Sequence, residues 1–107
     1  MAQKTVTLYH GGDFNQVADL LGAGLNHKQP FYCTRDKALA QAAKYGHGLE
    51  GTLLQVDVPS EVFEDCLNSG CWVEKPYFGC IQIDHSREVI IHPGEGIEIM
   101  NRYLFRY

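Results

Sequence analysis

The segments that decide the fold prediction are Leu8-Tyr9-His10-Gly11-Gly12 and Pro30-Phe31-Tyr32-Cys33-Thr34. Side chains alternate in character along the first segment, which predicts a β-strand that the two glycines end. The second segment predicts a short strand, followed directly by an alanine-rich helix. Because each predicted strand ends near a polar, ring-bearing side chain, His10 and Tyr32, we expect both side chains to face one shared cleft.

The helix signals lie in the first half of the chain. Asp13 is a suitable N-cap for a helix that extends to about residue 21, and Gly22 and Gly24 are expected to stop it. Thr34 is the predicted N-cap of a second helix over residues 35–45. On this second helix, one face is predicted to carry Ala38, Ala42 and Tyr45 together.

The second half of the chain predicts antiparallel strands. Leu54, Val56 and Val58 alternate with other residues in a strand that Pro59 ends. The later segments are predicted as a helical turn at 60–66, a loop at 67–79, and strands at 81–83, 88–92 and 97–107. The whole pattern predicts a single α+β domain over residues 1–107, mostly antiparallel after residue 50.

Composition excludes several classes of function. The formal net charge of -4 argues against a DNA- or RNA-binding protein, which normally carries a basic face. The sequence contains no run of about 18 apolar residues, so we expect no membrane span. The N-terminal residues 1–5 lack an apolar signal region, which predicts a cytoplasmic location, with delivery to a target cell by a non-Sec route as an alternative.

Four cysteines, at positions 33, 66, 71 and 80, are predicted to be reduced thiols because no secretion signal accompanies them. The spacing of Cys66 and Cys71 is loose for a zinc knuckle, and no second well-spaced pair accompanies it. We therefore expect no metal.

Three ordered segments carry a family resemblance: Tyr9-His10-Gly11-Gly12, Phe31-Tyr32-Cys33-Thr34 and Arg87-Glu88-Val89-Ile90-Ile91-His92-Pro93-Gly94. Together they resemble the ADP-ribosyltransferase superfamily, in the branch with a His, a Tyr and an acidic residue that includes diphtheria-type toxins and poly-ADP-ribose polymerases. The first two segments are also similar to small rifampicin ADP-ribosyltransferases. The resemblance implies a small split antiparallel β-sheet core with two helices in the N-terminal half, and NAD as the substrate.

The resemblance also implies a role for individual residues. His10 would hydrogen-bond the adenosine-side ribose, and the backbone of Gly11 and Gly12 would lie close to the nicotinamide amide. Tyr32 would stack on the nicotinamide ring, since a flat aromatic face suits a flat cationic ring. Glu88 would bond the nicotinamide-side ribose and stabilise the positive charge of the transition state. The remaining implied roles are bracing of the site by Thr34 and an opposite wall formed by Tyr45.

Two acidic residues compete for the catalytic role. Glu88 is the first choice because it opens a β-branched strand that ends in Pro-Gly. Asp65 is the second choice, because it lies in a Phe-Glu-Asp segment like the one that carries the acid in rifampicin-type enzymes. Ser86 stands where many relatives have the Gln or Glu that orients an arginine acceptor, which argues against arginine-directed transfer. Each site residue also has a plain structural interpretation: His10 and Tyr32 as core residues, Glu88 as a solvated residue, and Thr34 as a helix cap.

The aromatic residues of the 68–79 segment are Trp72, Tyr77 and Phe78. Exposed rings of this kind mark binding surfaces, so we expect the segment to select a protein or small-molecule acceptor, or to dock a neutralising partner protein. The alternative is that the rings fill a small core.

The function that the resemblance implies is mono-ADP-ribosyl transfer from NAD with release of nicotinamide, in a toxin, a phage or defence effector, or a modifier of small molecules. The alternatives are a catalytically silent binding module, an NAD glycohydrolase, and phosphate transfer on tRNA ends. The acidic balance argues against the last of these.

Overall fold

The computed structural model describes residues 4–77 and 86–104, which form helices and antiparallel sheets. The strands are β1 (Thr5–Asp13), β2 (Phe31–Cys33), β3 (Gly51–Pro59), β4 (Trp72–Pro76) and β5 (Arg87–Ile91). The helices are α1 (Phe14–Ala23), α2 (Lys37–Gly46), α3 (Ser60–Ser69) and α4 (Glu95–Leu104), with a 3₁₀ turn at Gly48–Glu50. The predicted α+β class with antiparallel pairing is confirmed.

The strands form two separate sheets. In the first sheet β1 pairs with β3 along its full length, from Thr5 opposite Pro59 to Asp13 opposite Gly51. In the second sheet β5 lies between β2 and β4. A single backbone bridge between Tyr9 of β1 and Thr34, just after β2, connects the two sheets in the described part of the chain.

The hydrophobic core lies between the sheets and the helices. Strand β3 supplies Leu54, Val56 and Val58 from one face, as its alternation predicted. Helices α3 and α4 close the core against the strands. The other buried apolar side chains of this core are Leu8, Val17, Phe31, Cys33, Phe63, Cys66, Trp72, Val89, Ile91, Ile97, Met100 and Leu104.

The prediction that Gly11 and Gly12 end the first strand is wrong, because β1 continues to Asp13. A glycine is required at position 11 because helix α2 approaches the strand closely there. A Cβ at Gly11 would lie 2.0 Å from the carbonyl oxygen of Ala40 and 2.7 Å from the backbone nitrogen of Lys44. The glycine therefore lets the helix backbone rest directly on the strand, in agreement with the close packing expected of an alanine-rich helix.

Replacing Gly11 with alanine should lower the free energy of unfolding by about 3 kcal/mol, the upper part of the range for overpacking. The clash is with backbone atoms, which cannot rotate away as a side chain can. The matched control is Gly22→Ala in α1, where a Cβ meets nothing within 4 Å, and which should gain up to about 1 kcal/mol. Urea denaturation measures both, and equal stability of Gly11→Ala and the wild type would contradict the close packing.

The helix starts agree with the sequence prediction in α1 and differ in α2. Asp13 caps α1 by accepting hydrogen bonds from the backbone nitrogens of Asn15 and Gln16 at 2.9 and 3.3 Å. The cap of α2 is Asp36 rather than Thr34, because the Asp36 carboxylate accepts from the second and third helical nitrogens. The buried residues of α2 are Leu39 and Ala40, whereas Ala38 and Tyr45 are exposed and Ala42 is half-buried.

Two further predictions need correction. The predicted loop 67–79 contains the last turn of α3 and the strand β4, and the predicted strand region 97–107 contains helix α4. Alternation of Ile97 and Ile99 suggested a strand, but the residues that α4 buries are Ile97, Met100 and Leu104, at helical spacing. The predicted strand at 81–83 and the residues after 104 lie outside the described part of the chain.

Candidate functional site

A pocket of about 150 Å³ opens where the two sheets meet beneath helix α2. This volume equals that of an engineered protein cavity that holds a benzene molecule, so it suits one flat ring. Segments from β1, β2, α2, the end of β4 and β5 contribute to it. The described lining residues are Tyr9, His10, Gly11, Tyr32, Cys33, Thr34, Leu39, Ala40, Ala43, Tyr77 and Glu88.

Backbone and hydroxyl hydrogen bonds hold the strands around this pocket. Tyr9 and Thr34 exchange two backbone bonds, of 2.7 and 2.9 Å. The Thr34 hydroxyl donates to the carbonyl oxygen of Arg87 at 2.6 Å and accepts from the backbone nitrogen of Asp36 at 2.9 Å. Thr34 is buried, and these hydrogen bonds connect the end of β2 to β1, to the start of α2 and to β5. The bond to β5 is made at Arg87, one residue before Glu88.

The imidazole of His10 has a defined orientation. Its Nδ1 lies 2.7 Å from the carbonyl oxygen of Tyr32, and its ring contacts the Phe31 ring at a centroid distance of 4.6 Å. Burial lowers the pKa of His10, outweighing the opposite effect of that hydrogen bond, so the neutral ring prevails at pH 7. Because a carbonyl oxygen can only accept, the proton resides on Nδ1 and leaves Nε2 as a hydrogen-bond acceptor.

Gly12 makes room for this imidazole. A Cβ at Gly12 would lie 2.8 Å from Nε2 of His10, which is closer than real Cβ contacts allow. Gly12 itself is buried and is not among the described lining residues, whereas Gly11 is. The structure thus places Gly11 at the pocket and Gly12 against the Nε2 edge of the His10 imidazole.

Tyr32 projects from the middle of β2 while its neighbours Phe31 and Cys33 point into the core. Its side chain lines the pocket and remains half exposed, at 50%. Tyr9 and Tyr77 also line the pocket. Of these three aromatic residues Tyr32 is the most exposed, and it is therefore the most accessible to stacking.

Glu88 supplies the carboxylate of the pocket. It is the second residue of β5, pairs with Lys75 of β4 in the strand register, and is about one-fifth exposed at its side chain. The Lys75 Nζ lies 3.8 Å from the Glu88 Oε1. The adjacent Arg87 instead approaches Glu74, 3.6 Å away, so the neighbouring arginine is engaged elsewhere.

The structure does not bring every predicted residue to the pocket. Tyr45 is 74% exposed near the end of α2 and is absent from the described lining, so the prediction that it forms the opposite wall is wrong. Asp65 lies exposed on α3, outside the described lining. The predicted acceptor residue Trp72 has no exposed surface, and its Nε1 donates to the carbonyl oxygen of Gly96 at 3.0 Å.

Trp72 is therefore a core residue, and the prediction that it contacts an acceptor is corrected. The structure favours the alternative interpretation of this ring, which also contacts Phe63 edge to face with centroids 6.1 Å apart. Tyr77 does line the pocket and keeps its place as an acceptor-facing candidate. Phe78 lies outside the described residues.

Sequence reasoning missed several lining residues. Tyr9 and His10 are adjacent on β1, so their side chains point to opposite faces of the strand, yet both residues line the pocket. The sequence signal for the α2 contribution was present, since small residues permit a close helix. The sequence had predicted no role for five of the described lining residues: Tyr9, Cys33, Leu39, Ala40 and Ala43.

Neither a metal site nor a membrane-crossing helix is found in the part of the chain that the structure describes. No group of three His, Cys, Asp or Glu side chains there could hold an ion. No helix among residues 4–77 and 86–104 combines the length and apolarity needed to cross a bilayer. Cys66 and Cys71 are free thiols, and burial, followed by the nearby Cys71, raises the pKa of Cys66 to about 12. Cys80 lies outside the described residues.

Comparison with models of known protein families, with curated proteins and with solved structures found no match.

Proposed function

We propose that this protein binds NAD, breaks the bond between nicotinamide and ribose, and transfers ADP-ribose to an acceptor. The observation that carries the proposal is the convergence of His10, Tyr32 and Glu88 on one pocket from three different strands. These residues are widely separated in the sequence, and a purely structural role for each would not require a shared cleft. Their resemblance to the His, Tyr and acidic residue of the ADP-ribosyltransferases supplies the reaction.

In this proposal His10 binds a ribose hydroxyl. The hydroxyl group donates to Nε2, which the Nδ1 bond to the Tyr32 carbonyl leaves available as an acceptor. Gly12 is necessary because a side chain there would displace the imidazole. The neutral state of His10 suits the task, since a protonated ring has no acceptor nitrogen.

Tyr32 and the neighbouring pocket receive the nicotinamide. The volume of about 150 Å³ suits a single flat ring, and an exposed tyrosine face favours a planar cation such as a pyridinium. The backbone of Gly11, which also lines the pocket, is available to the amide group of the ring. The rest of the dinucleotide then extends out of the pocket.

Glu88 acts on the reacting ribose. Loss of neutral nicotinamide leaves positive charge on the ribose carbon, and a carboxylate held beside this charge lowers the barrier. The β5 backbone and the Thr34–Arg87 hydrogen bond fix the position of Glu88 before the ligand arrives. An acceptor nucleophile, from a protein or a small molecule, completes the transfer, and Tyr77 is the described aromatic residue best placed to contact it.

NAD at about 100 times its dissociation constant should stabilise the wild type by about 2.7 kcal/mol and raise its Tm by about 10 °C. Tyr32→Ala should lose most of this rise at the same NAD concentration, because stacking on the ring is removed. Tyr45→Ala is the matched control, since this exposed tyrosine lies outside the described lining. Differential scanning fluorimetry measures all three. An equal rise in all three proteins would contradict nicotinamide binding at Tyr32.

A binding module without catalysis is the second candidate, and one observation favours it. The Glu88 carboxylate already has a cationic partner in Lys75, so it is not a free negative charge. Release of nicotinamide from NAD separates the candidates: a transferase or an NAD glycohydrolase releases it, and a binding module raises Tm without release. Labelling of acceptors in a cell lysate then distinguishes transfer from hydrolysis.

A further inference from the structure

Lys75 stands beside the carboxylate of the pocket. Lys75 and Glu88 are directly opposite each other in the antiparallel pair of β4 and β5, so their side chains lie on the same face of the sheet. Their Nζ and Oε1 atoms are 3.8 Å apart. Tyr77, two residues after Lys75, lines the same pocket. The amine is therefore at the pocket edge, and with half of its side chain exposed it retains freedom to move.

The other described cations near this region are engaged differently. Arg35 forms a two-pronged ion pair with Glu74, and Arg87 also approaches Glu74. Lys37 lies over the ring of Tyr9, 5.9 Å from its centroid. In the ion pairs of the described residues, Lys75 is the amine that approaches Glu88.

We propose that Lys75 is an ADP-ribose acceptor within the same chain, that is, a site of self-modification. This inference rests on the proposed function. In that reaction the ribose carbon that loses nicotinamide lies beside Glu88, because this carboxylate stabilises its charge. A primary amine 3.8 Å from this carboxylate is then a nucleophile beside the reacting carbon.

The chemical step balances without a further reactant. The Lys75 ammonium first loses one proton to water, which exposes the nitrogen lone pair, while Glu88 stays a carboxylate. The Nζ forms a bond to the ribose carbon as the bond from this carbon to the nicotinamide nitrogen breaks, and the bonding electrons leave with neutral nicotinamide. The new secondary ammonium then releases a proton to water. The product is a lysine that carries one ADP-ribosyl group.

The test is to incubate the purified full chain with NAD, without any other acceptor, and to measure nicotinamide release and ADP-ribosyl incorporation together. We expect incorporation of up to one group per chain, mapped to Lys75 by fragmentation mass spectrometry. The incorporated fraction of the released nicotinamide should not change when the protein is diluted about 10-fold, because attack within one chain is independent of concentration. The label should resist neutral hydroxylamine, which cleaves esters of acidic side chains.

Two variants sharpen the experiment. Lys75→Met should lose the label, and its Tm establishes that it is folded. Lys28→Met, which removes an exposed lysine from the turn before β2, should keep the label on Lys75. Nicotinamide release with no label on Lys75, with a hydroxylamine-sensitive label, or with labelling that falls on dilution, would overturn the inference and leave NAD cleavage intact. Absence of nicotinamide release would overturn the proposed transferase and the inference with it.

Discussion

Glu88→Gln is expected to lower the rate of nicotinamide release by roughly 10²- to 10³-fold, the range observed when one preorganised electrostatic partner of a transition state is removed. Glutamine keeps the shape of the side chain and a hydrogen-bonding oxygen but removes the negative charge. NAD binding should change little, because the carboxylate matters most when positive charge develops on the ribose. Single-turnover release measured beside a thermal-shift titration separates the two effects.

Asp65→Asn is the matched control for this prediction. Asp65 was the competing catalytic acid in the sequence, and the structure places it exposed on α3, outside the described pocket lining. We expect Asp65→Asn to release nicotinamide at the wild-type rate. A normal rate in Glu88→Gln together with a large loss in Asp65→Asn would transfer the catalytic role to Asp65 and refute the proposed geometry.

Trp72→Ser is expected to produce the largest loss of stability, about 3–5 kcal/mol or more. The ring has no exposed surface, so its removal leaves a large cavity, and the hydroxyl of serine enters an apolar environment. The carbonyl oxygen of Gly96 also loses its indole N–H donor. Since the total free energy of unfolding of a small protein is about 5–15 kcal/mol, we expect a substantial unfolded fraction at 37 °C.

Tyr45→Ser controls for the loss of an aromatic ring. Because Tyr45 is 74% exposed, this substitution should change the free energy of unfolding by no more than about 0.5 kcal/mol. Denaturant unfolding followed by circular dichroism measures both variants. If Trp72→Ser kept the wild-type stability and lost only acceptor labelling, Trp72 would be a recognition residue and the described packing would be wrong.

The sequence correctly predicted strand β3 and the start of helix α1, whose signals lie in neighbouring residues. The alternation of Leu54, Val56 and Val58 predicted β3, because period-2 burial is a property of the strand itself. Asp13 predicted the start of α1, because a side-chain cap depends only on the nearest backbone nitrogens. The shared cleft for His10 and Tyr32 was also predicted from the sequence, and both residues line the pocket.

The sequence did not predict features that depend on distant neighbours. Gly11 was predicted to end a strand. The position requires glycine because the α2 backbone lies against it and leaves no room for a side chain. Ile97 and Ile99 had the alternation of a strand, but packing against the rest of the core selected the helical set Ile97, Met100 and Leu104. Such tertiary contacts routinely override local preference.

The amino-acid sequence by itself determined the α+β class, the antiparallel character and the residues most suited to a cleft, because these follow from alternation, caps and turns. The family resemblance placed Glu88 in one cleft with His10 and Tyr32, and all three residues line the pocket. Only the tertiary structure decided that Tyr45 and Trp72 do not join them. It also brought Lys75 opposite Glu88. The physical reason is that side-chain burial and cross-strand neighbours are set by the register of strands far apart in the chain, which no local pattern encodes.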